Sequence, residues 1–200
     1  MEINVVEKFW RPDLLSAPNI PKPLHTVNPR TICGRWWWDI QRQEAYAKHD
    51  YCCWACGVPK RNAEFYHWLE AHEDYDIDWE TGKVELKEIV ALCHSCHSFI
   101  HNGRLLNLYQ NSEIGRDKIT SILEHGFDIC KRNHVQPFYG AYIAWYVLKG
   151  KTLEESVIKA KKKGWYPKIE ASWEKWHLII EGTKYFSPFK DLSEWENHWN

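Results

Sequence analysis

The chain has 200 residues, a formal net charge of −1 and a sequence pI near 6.8, with 44% hydrophobic and 26% charged residues. These values suit a globular chain with its own core and exclude the overall basic footprint of a general nucleic-acid binder, so any such contact must be local. With no run of about 18 apolar residues and no basic or apolar leader pattern at Met1–Asn4, a soluble cytoplasmic protein with no membrane partner is expected.

In chain order, Pro12, Pro18, Pro21, Pro23 and Pro29 deny regular hydrogen bonding to residues 1–30 and predict an extended arm lying over the body. A helix is expected from Trp36 to Lys48, where Trp38, Gln41, Arg42, Ala45 and Tyr46 fall at helical spacing. Phe65–His72 and Val84–Leu92 read as two strands, joined by an acidic loop and a turn at Glu80-Thr81-Gly82-Lys83. A short helix follows Cys93 and is expected to stop at Gly103, a residue suited to the left-handed cap position. Helices are then predicted over Asp117–Arg132, Phe138–Lys149 and Thr152–Lys163, the last opened by a capping box at Thr152 and Glu155. A hairpin at Trp176–Ile180 and Lys184–Ser187 turns at Glu181-Gly182, before a last helix from Asp191. The expected class is α+β, with an arm over 1–30, a metal-clamped domain over 31–111, and a mainly helical region with a terminal hairpin over 112–200.

Seven cysteines is an odd number, and four of them form two Cys-x-x-Cys pairs, which suits metal ligation in a reducing compartment better than disulfides. Cys53, Cys56, Cys93 and Cys96 match the tetrahedral four-thiolate set of a structural zinc ion, which leaves no position for water and so does no chemistry. Cys52 precedes Cys53 directly and is a competing ligand. Cys53 is preferred, because Cys53-Trp-Ala-Cys56-Gly57 has the two-residue spacer and trailing glycine of a zinc knuckle.

Directly after the second pair, His97 and His101 are four apart on one helical face and can grip one cation. His72, in the first strand, would be held beside that helix by the zinc. A Cys-x-x-Cys after a helix, a strand histidine and a Cys-x-x-Cys-His-x-x-x-His helix together resemble the HNH, or ββα-metal, nucleases over about residues 36–104. The run His97-x-x-x-His101-x-Gly103-Arg104 is similar to the tail of the colicin-type DNase motif.

The resemblance implies a metal-dependent endonuclease hydrolysing phosphodiester bonds of DNA. It makes His72 the general base and His97 with His101 the ligands of a divalent metal (Mg²⁺, Mn²⁺, Ni²⁺ or Zn²⁺), chemistry that imidazole suits near neutral pH. That family usually has another metal ligand directly before the base. Ala71 stands there, and Glu70, which shares a strand face with His72, is expected to substitute, with Glu73 the other candidate. The asparagine that orients the family's base falls on Glu88, whose carboxylate can accept an imidazole N–H. HNH domains are frequent in bacteriophage and mobile-element proteins, so a phage-encoded chain working in the host cytoplasm fits the resemblance.

Arg30, Arg35, Arg42, Lys60, Arg61 and Arg104 flank the site in sequence and are the expected phosphate contacts. Lys159, Lys161, Lys162, Lys163 and Lys168 surround Gly164-Trp165-Tyr166 and read as a solvated helix end. Of Trp36, Trp37 and Trp38, consecutive on a helix, at least one should be core. From another functional class, the chain reads as a catalytically silent, zinc-clamped module that binds nucleic acid or inhibits a protein partner.

Overall fold

The computed structural model describes residues 10–199, and the reading of Met1–Asn4 falls outside them. Among the described residues the chain is mixed α+β, with seven α-helices and one four-stranded sheet in the order β1-β2-β3-β4. It divides into two compact units, residues 10–18, 45–72 and 91–166 in the first and residues 19–44, 73–90 and 167–199 in the second. No helix among the described residues is long and apolar enough to cross a membrane.

α1 (Pro29–Lys48), whose residues up to Glu44 belong to the second unit, begins seven residues before the predicted start. Asn28 Oδ1 accepts the Thr31 N–H at 3.0 Å, the usual service of a helix-capping side chain. Gly34 breaks the helix with φ 83° and ψ 167°, a conformation that side-chain-bearing residues rarely adopt, so the uninterrupted run begins beyond it. Of the three tryptophans, Trp38 is buried and Trp36 is exposed.

The first strand is displaced from its predicted place. β1 is Glu70–Asp78 and β2 is Lys83–Leu92, so the acidic stretch expected as a loop is mostly strand. The reason is the period-two series Tyr75, Ile77, Trp79, which packs against a core of Leu24, Val27, Val84, Trp176, Leu178 and Ile180 while the intervening aspartates point away. Asp78 closes the turn, its carboxylate accepting from the Glu80 and Thr81 amides at 3.0 and 3.1 Å and from the Thr81 hydroxyl at 2.6 Å. β3 (His177–Ile180) and β4 (Thr183–Phe186) form the expected antiparallel hairpin, with positive φ at Glu181 and Gly182. Its pairing with the rest was not foreseen: β3 runs parallel to β2, with Val84 opposite Leu178. α7 (Leu192–Trp199) follows.

The first unit is built from α2 (His94–Ile100), α3 (Asn102–Gln110), α4 (Arg116–Arg132), α5 (Tyr139–Leu148) and α6 (Leu153–Ala160). Gly103 does not end a helix as expected. The break falls at His101, with φ −81° and ψ 45°, and Gly103 lies in the first turn of α3. Asn102 stabilises the break by donating to the Phe99 and Ile100 carbonyls, while Leu105 and Leu106 give α3 a buried face that rewards continuing. α2 packs closely on α4, because a Cβ at Gly126 would sit 2.1 Å from the Phe99 ring. The capping box of α6 forms as predicted, Thr152 accepting from the Glu155 amide and Glu155 from the Thr152 amide. Leu14 and Leu15, from the proline-rich start, are buried in this unit.

Candidate metal centre

Cys53 and Cys56 lie on the turn after α1, and Cys93 and Cys96 lie at the start of α2. A two-residue spacer turns both thiols of each pair the same way, and the four sulfurs all come within 4.8 Å of one another. Cys56 Sγ is 3.7 Å from Cys93 Sγ, far too long for a disulfide. It matches the edge of about 3.8 Å of a tetrahedron of sulfurs around a zinc ion. Cys53, Cys93 and Cys96 are buried. Cys52, the competing ligand, is outside the cluster, its thiol turned to the Asp50 carbonyl. The contact with Cys53, the largest cause in each case, pushes Cys93 far down and Cys56 and Cys96 far up. Such crowding of thiols is what a dication relieves. His125 of α4, which sequence reasoning did not single out, sets Nε2 3.4 Å from Cys96 Sγ, where an N–H supports a thiolate. The residues present therefore fit a structural zinc ion.

Beside them, His72, His97 and His101 form a second cluster whose donor atoms lie within 4.8 Å of one another. His72 is the third residue of β1 and not its last, a consequence of the shifted strand. His97 and His101 keep the i, i+4 relation despite the helix break, because the His101 amide still bonds the His97 carbonyl at 3.1 Å. His101 Nε2 is 3.2 Å from His72 Nδ1, and the His97 and His101 ring centroids are 4.5 Å apart. Burial first, then the neighbouring His101 and His97, holds His72 well below its usual 6.5. Burial likewise, followed by His97 and Arg104, lowers His101 to about 4. Both rings are therefore neutral near pH 7, the form that offers a lone pair to a cation.

Glu70 shares a strand face with His72 as the period-two reading expects, and the structure sets it against two imidazoles. Its oxygens lie 2.7 Å from His94 Nδ1 and 2.5 Å from His97 Nδ1. Burial would raise this carboxyl, but hydrogen bonds from His94 and His97 outweigh it and hold it down at about 2. An ionised carboxylate only accepts, so both Nδ1 atoms donate to it. Glu70 thus fixes the tautomer in which His97 can ligate through Nε2. Glu70→Gln should weaken Co²⁺ or Ni²⁺ binding at the histidine cluster about 10–100-fold while the thiolate zinc is retained. Calorimetric titration of zinc-loaded protein checks this; unchanged affinity would remove Glu70 from any positioning role.

A cleft of about 210 Å³ opens onto the site, lined by His94, His97, His101 and Arg104 with Tyr66 and Lys118 at its sides. Of the cations expected from sequence, Arg104 is the one the structure brings to this cleft among the described residues. Arg35 and Arg42 lie on α1 in the second unit, both ion-paired with Asp39. Lys60 and Arg61 sit in a short 3-10 turn, with Lys60 over the Tyr51 ring. Glu88 is half-buried in the part of β2 that belongs to the second unit. Sequence reasoning missed His94 and Lys118. His94 follows a cysteine of the four-thiolate cluster, a place where histidines are commonly structural, and Lys118 is one partly buried lysine of α4 with no local motif.

Comparison with protein-family models finds no match, and comparisons with curated proteins and with solved structures find no significant match. The α+β fold, a four-cysteine site able to hold zinc and an adjoining histidine cluster define the chain on their own evidence.

Proposed function

We propose that this chain is a metal-dependent nuclease of the HNH type that hydrolyses phosphodiester bonds of DNA. The observation that carries the reading is the convergence of three imidazoles beside a closed thiolate site and a cleft bearing Arg104 and Lys118. His97 and His101 hold the cation, and Glu70 orients His97. A divalent cation bound there supplies positive charge where the scissile phosphate and its leaving oxygen gain negative charge. His72, neutral at pH 7, accepts the proton of the attacking water. Arg104 and Lys118 attract the phosphate backbone locally, which reconciles a net charge of −1 with a polyanionic substrate.

One observation favours a variant of this reading. His72 is only 7% exposed, and its 3.2 Å approach to His101 suits two nitrogens gripping one ion. His72 is then a third ligand, and the proton acceptor is His94, which lines the cleft with its Nδ1 tied to Glu70.

Incubation of zinc-loaded protein with supercoiled plasmid in Mg²⁺, Mn²⁺ or Ni²⁺ should produce nicked or linear DNA, and EDTA should abolish it. Absence of cleavage by well-folded protein across these metals, on plasmid, single-stranded DNA and RNA, would overturn the nuclease in favour of a silent binding module.

A further inference from the structure

Residues 64–68 join the thiolate turn to β1, and their backbone is strained. Phe65 has φ 70°, and the Tyr66 amide bonds the Glu64 carbonyl two residues back at 2.9 Å. That is a γ-turn of the positive-φ kind, which a bulky side chain adopts only when its surroundings impose it. Here α4 does so. Ser121 donates its hydroxyl to the Glu64 carboxylate at 2.9 Å, and Lys118 donates to the Tyr66 hydroxyl at 3.4 Å. The Lys118 ammonium lies 5.0 Å from the centroids of both the Phe65 and Tyr66 rings.

The clamp leaves two of the three rings, Phe65 and Trp68, exposed. Trp68 stacks on Tyr66 with centroids 4.2 Å apart and planes 16° apart, yet it remains 51% exposed. Phe65 is 37% exposed, while Tyr66 lines the cleft and meets the His94 ring edge-on at 4.6 Å. The result is a preformed aromatic shelf at the rim of the histidine site, with a cation beneath it.

We propose that this shelf stacks unpaired nucleobases next to the scissile phosphate, so that the preferred substrate is single-stranded DNA or an unpaired segment; the inference rests on the nuclease reading. Base faces stack on aromatic rings whatever their sequence, whereas in a duplex those faces are already covered by neighbouring bases. Lys118 and Arg104, which line the same cleft together with Glu113, offer positive charge to the flanking phosphates.

The test measures fluorescence anisotropy of labelled oligonucleotides with zinc-loaded protein in Ca²⁺, comparing a single strand, its blunt duplex, and the single strand carrying abasic positions. Trp68→Ala should weaken single-strand binding about tenfold and duplex binding less than about twofold, and Trp68→Phe should restore most of the loss. Abasic positions should weaken wild-type binding to the same extent and leave Trp68→Ala unaffected. Binding that is indifferent to Trp68 and to base removal overturns the shelf while leaving the nucleic-acid reading intact, as does an equal loss on duplex. No binding to any oligonucleotide overturns both, and would turn the shelf into a contact for a protein partner. An unchanged melting temperature of Trp68→Ala keeps the comparison free of misfolding.

Discussion

Cys96→Ser is expected to leave the first unit unfolded and free of zinc. Cys96 is fully buried at the start of α2, and its sulfur belongs both to the four-thiolate cluster and to the contact with His125. Structural zinc contributes roughly 10–16 kcal/mol in small zinc-clamped peptides, comparable with the about 5–15 kcal/mol that separates a typical folded domain from its unfolded chain. Removing one ligand also leaves three crowded thiols, two of them buried, without a counter-charge. Far-UV circular dichroism, a thermal melt and metal analysis check the result, with Cys52→Ser, outside the cluster, as the variant that keeps both zinc and fold. A Cys96→Ser protein that melts like wild type without zinc would remove the structural metal from the account. Stripping zinc with a strong chelator should reproduce the unfolding, because the four thiolates tie the turn after α1 to the start of α2.

His72→Ala should reduce metal-dependent cleavage about 10²–10⁴-fold, the usual contribution of a general base, with the fold retained. Removing a buried imidazole leaves a small cavity and no unpaired charge, because the ring is neutral at pH 7. Metal titration of the same variant separates the two roles open to His72. Unchanged affinity at the histidine cluster together with lost cleavage makes it the base. Lost affinity makes it the third ligand and moves the proton transfer to His94, whose own Ala variant should then lose cleavage while still binding metal. Cleavage by His72→Ala at the wild-type rate would dismiss both roles.

These two residues also mark how far the sequence could be read. Cys96 was identifiable by arithmetic alone, since a two-residue spacer dictates that both thiols of a pair face one point. His97 and His101 follow equally from the 3.6-residue helical period, and the hydrogen bond from the His101 amide to the His97 carbonyl preserves that spacing through the helix break. His72 was assigned to the correct strand but at its wrong end. The acidic residues masked the period-two series Tyr75, Ile77, Trp79, whose packing on Trp176 and Leu178 carries the strand onward. Gly103 misled for a related reason: glycine permits a helix cap without requiring one, and the buried Leu105 and Leu106 extend the helix past it.

What the sequence determined by itself is local: the two-residue spacer within each cysteine pair, the four-residue spacing of His97 and His101, the capping box of α6, the β3–β4 hairpin and its turn. Each depends on residues within a few positions of one another, where covalent geometry and backbone period leave little choice. What tertiary structure alone decided is set by partners far apart in the chain. Glu70 reaches His94 and His97, His125 supports Cys96, and Lys118 with Ser121 clamps the turn at Phe65. β3 joins β2 in parallel across the whole helical segment between them. No local period encodes such pairings; they follow from which buried surfaces and which unpaired polar groups the folded chain brings within reach.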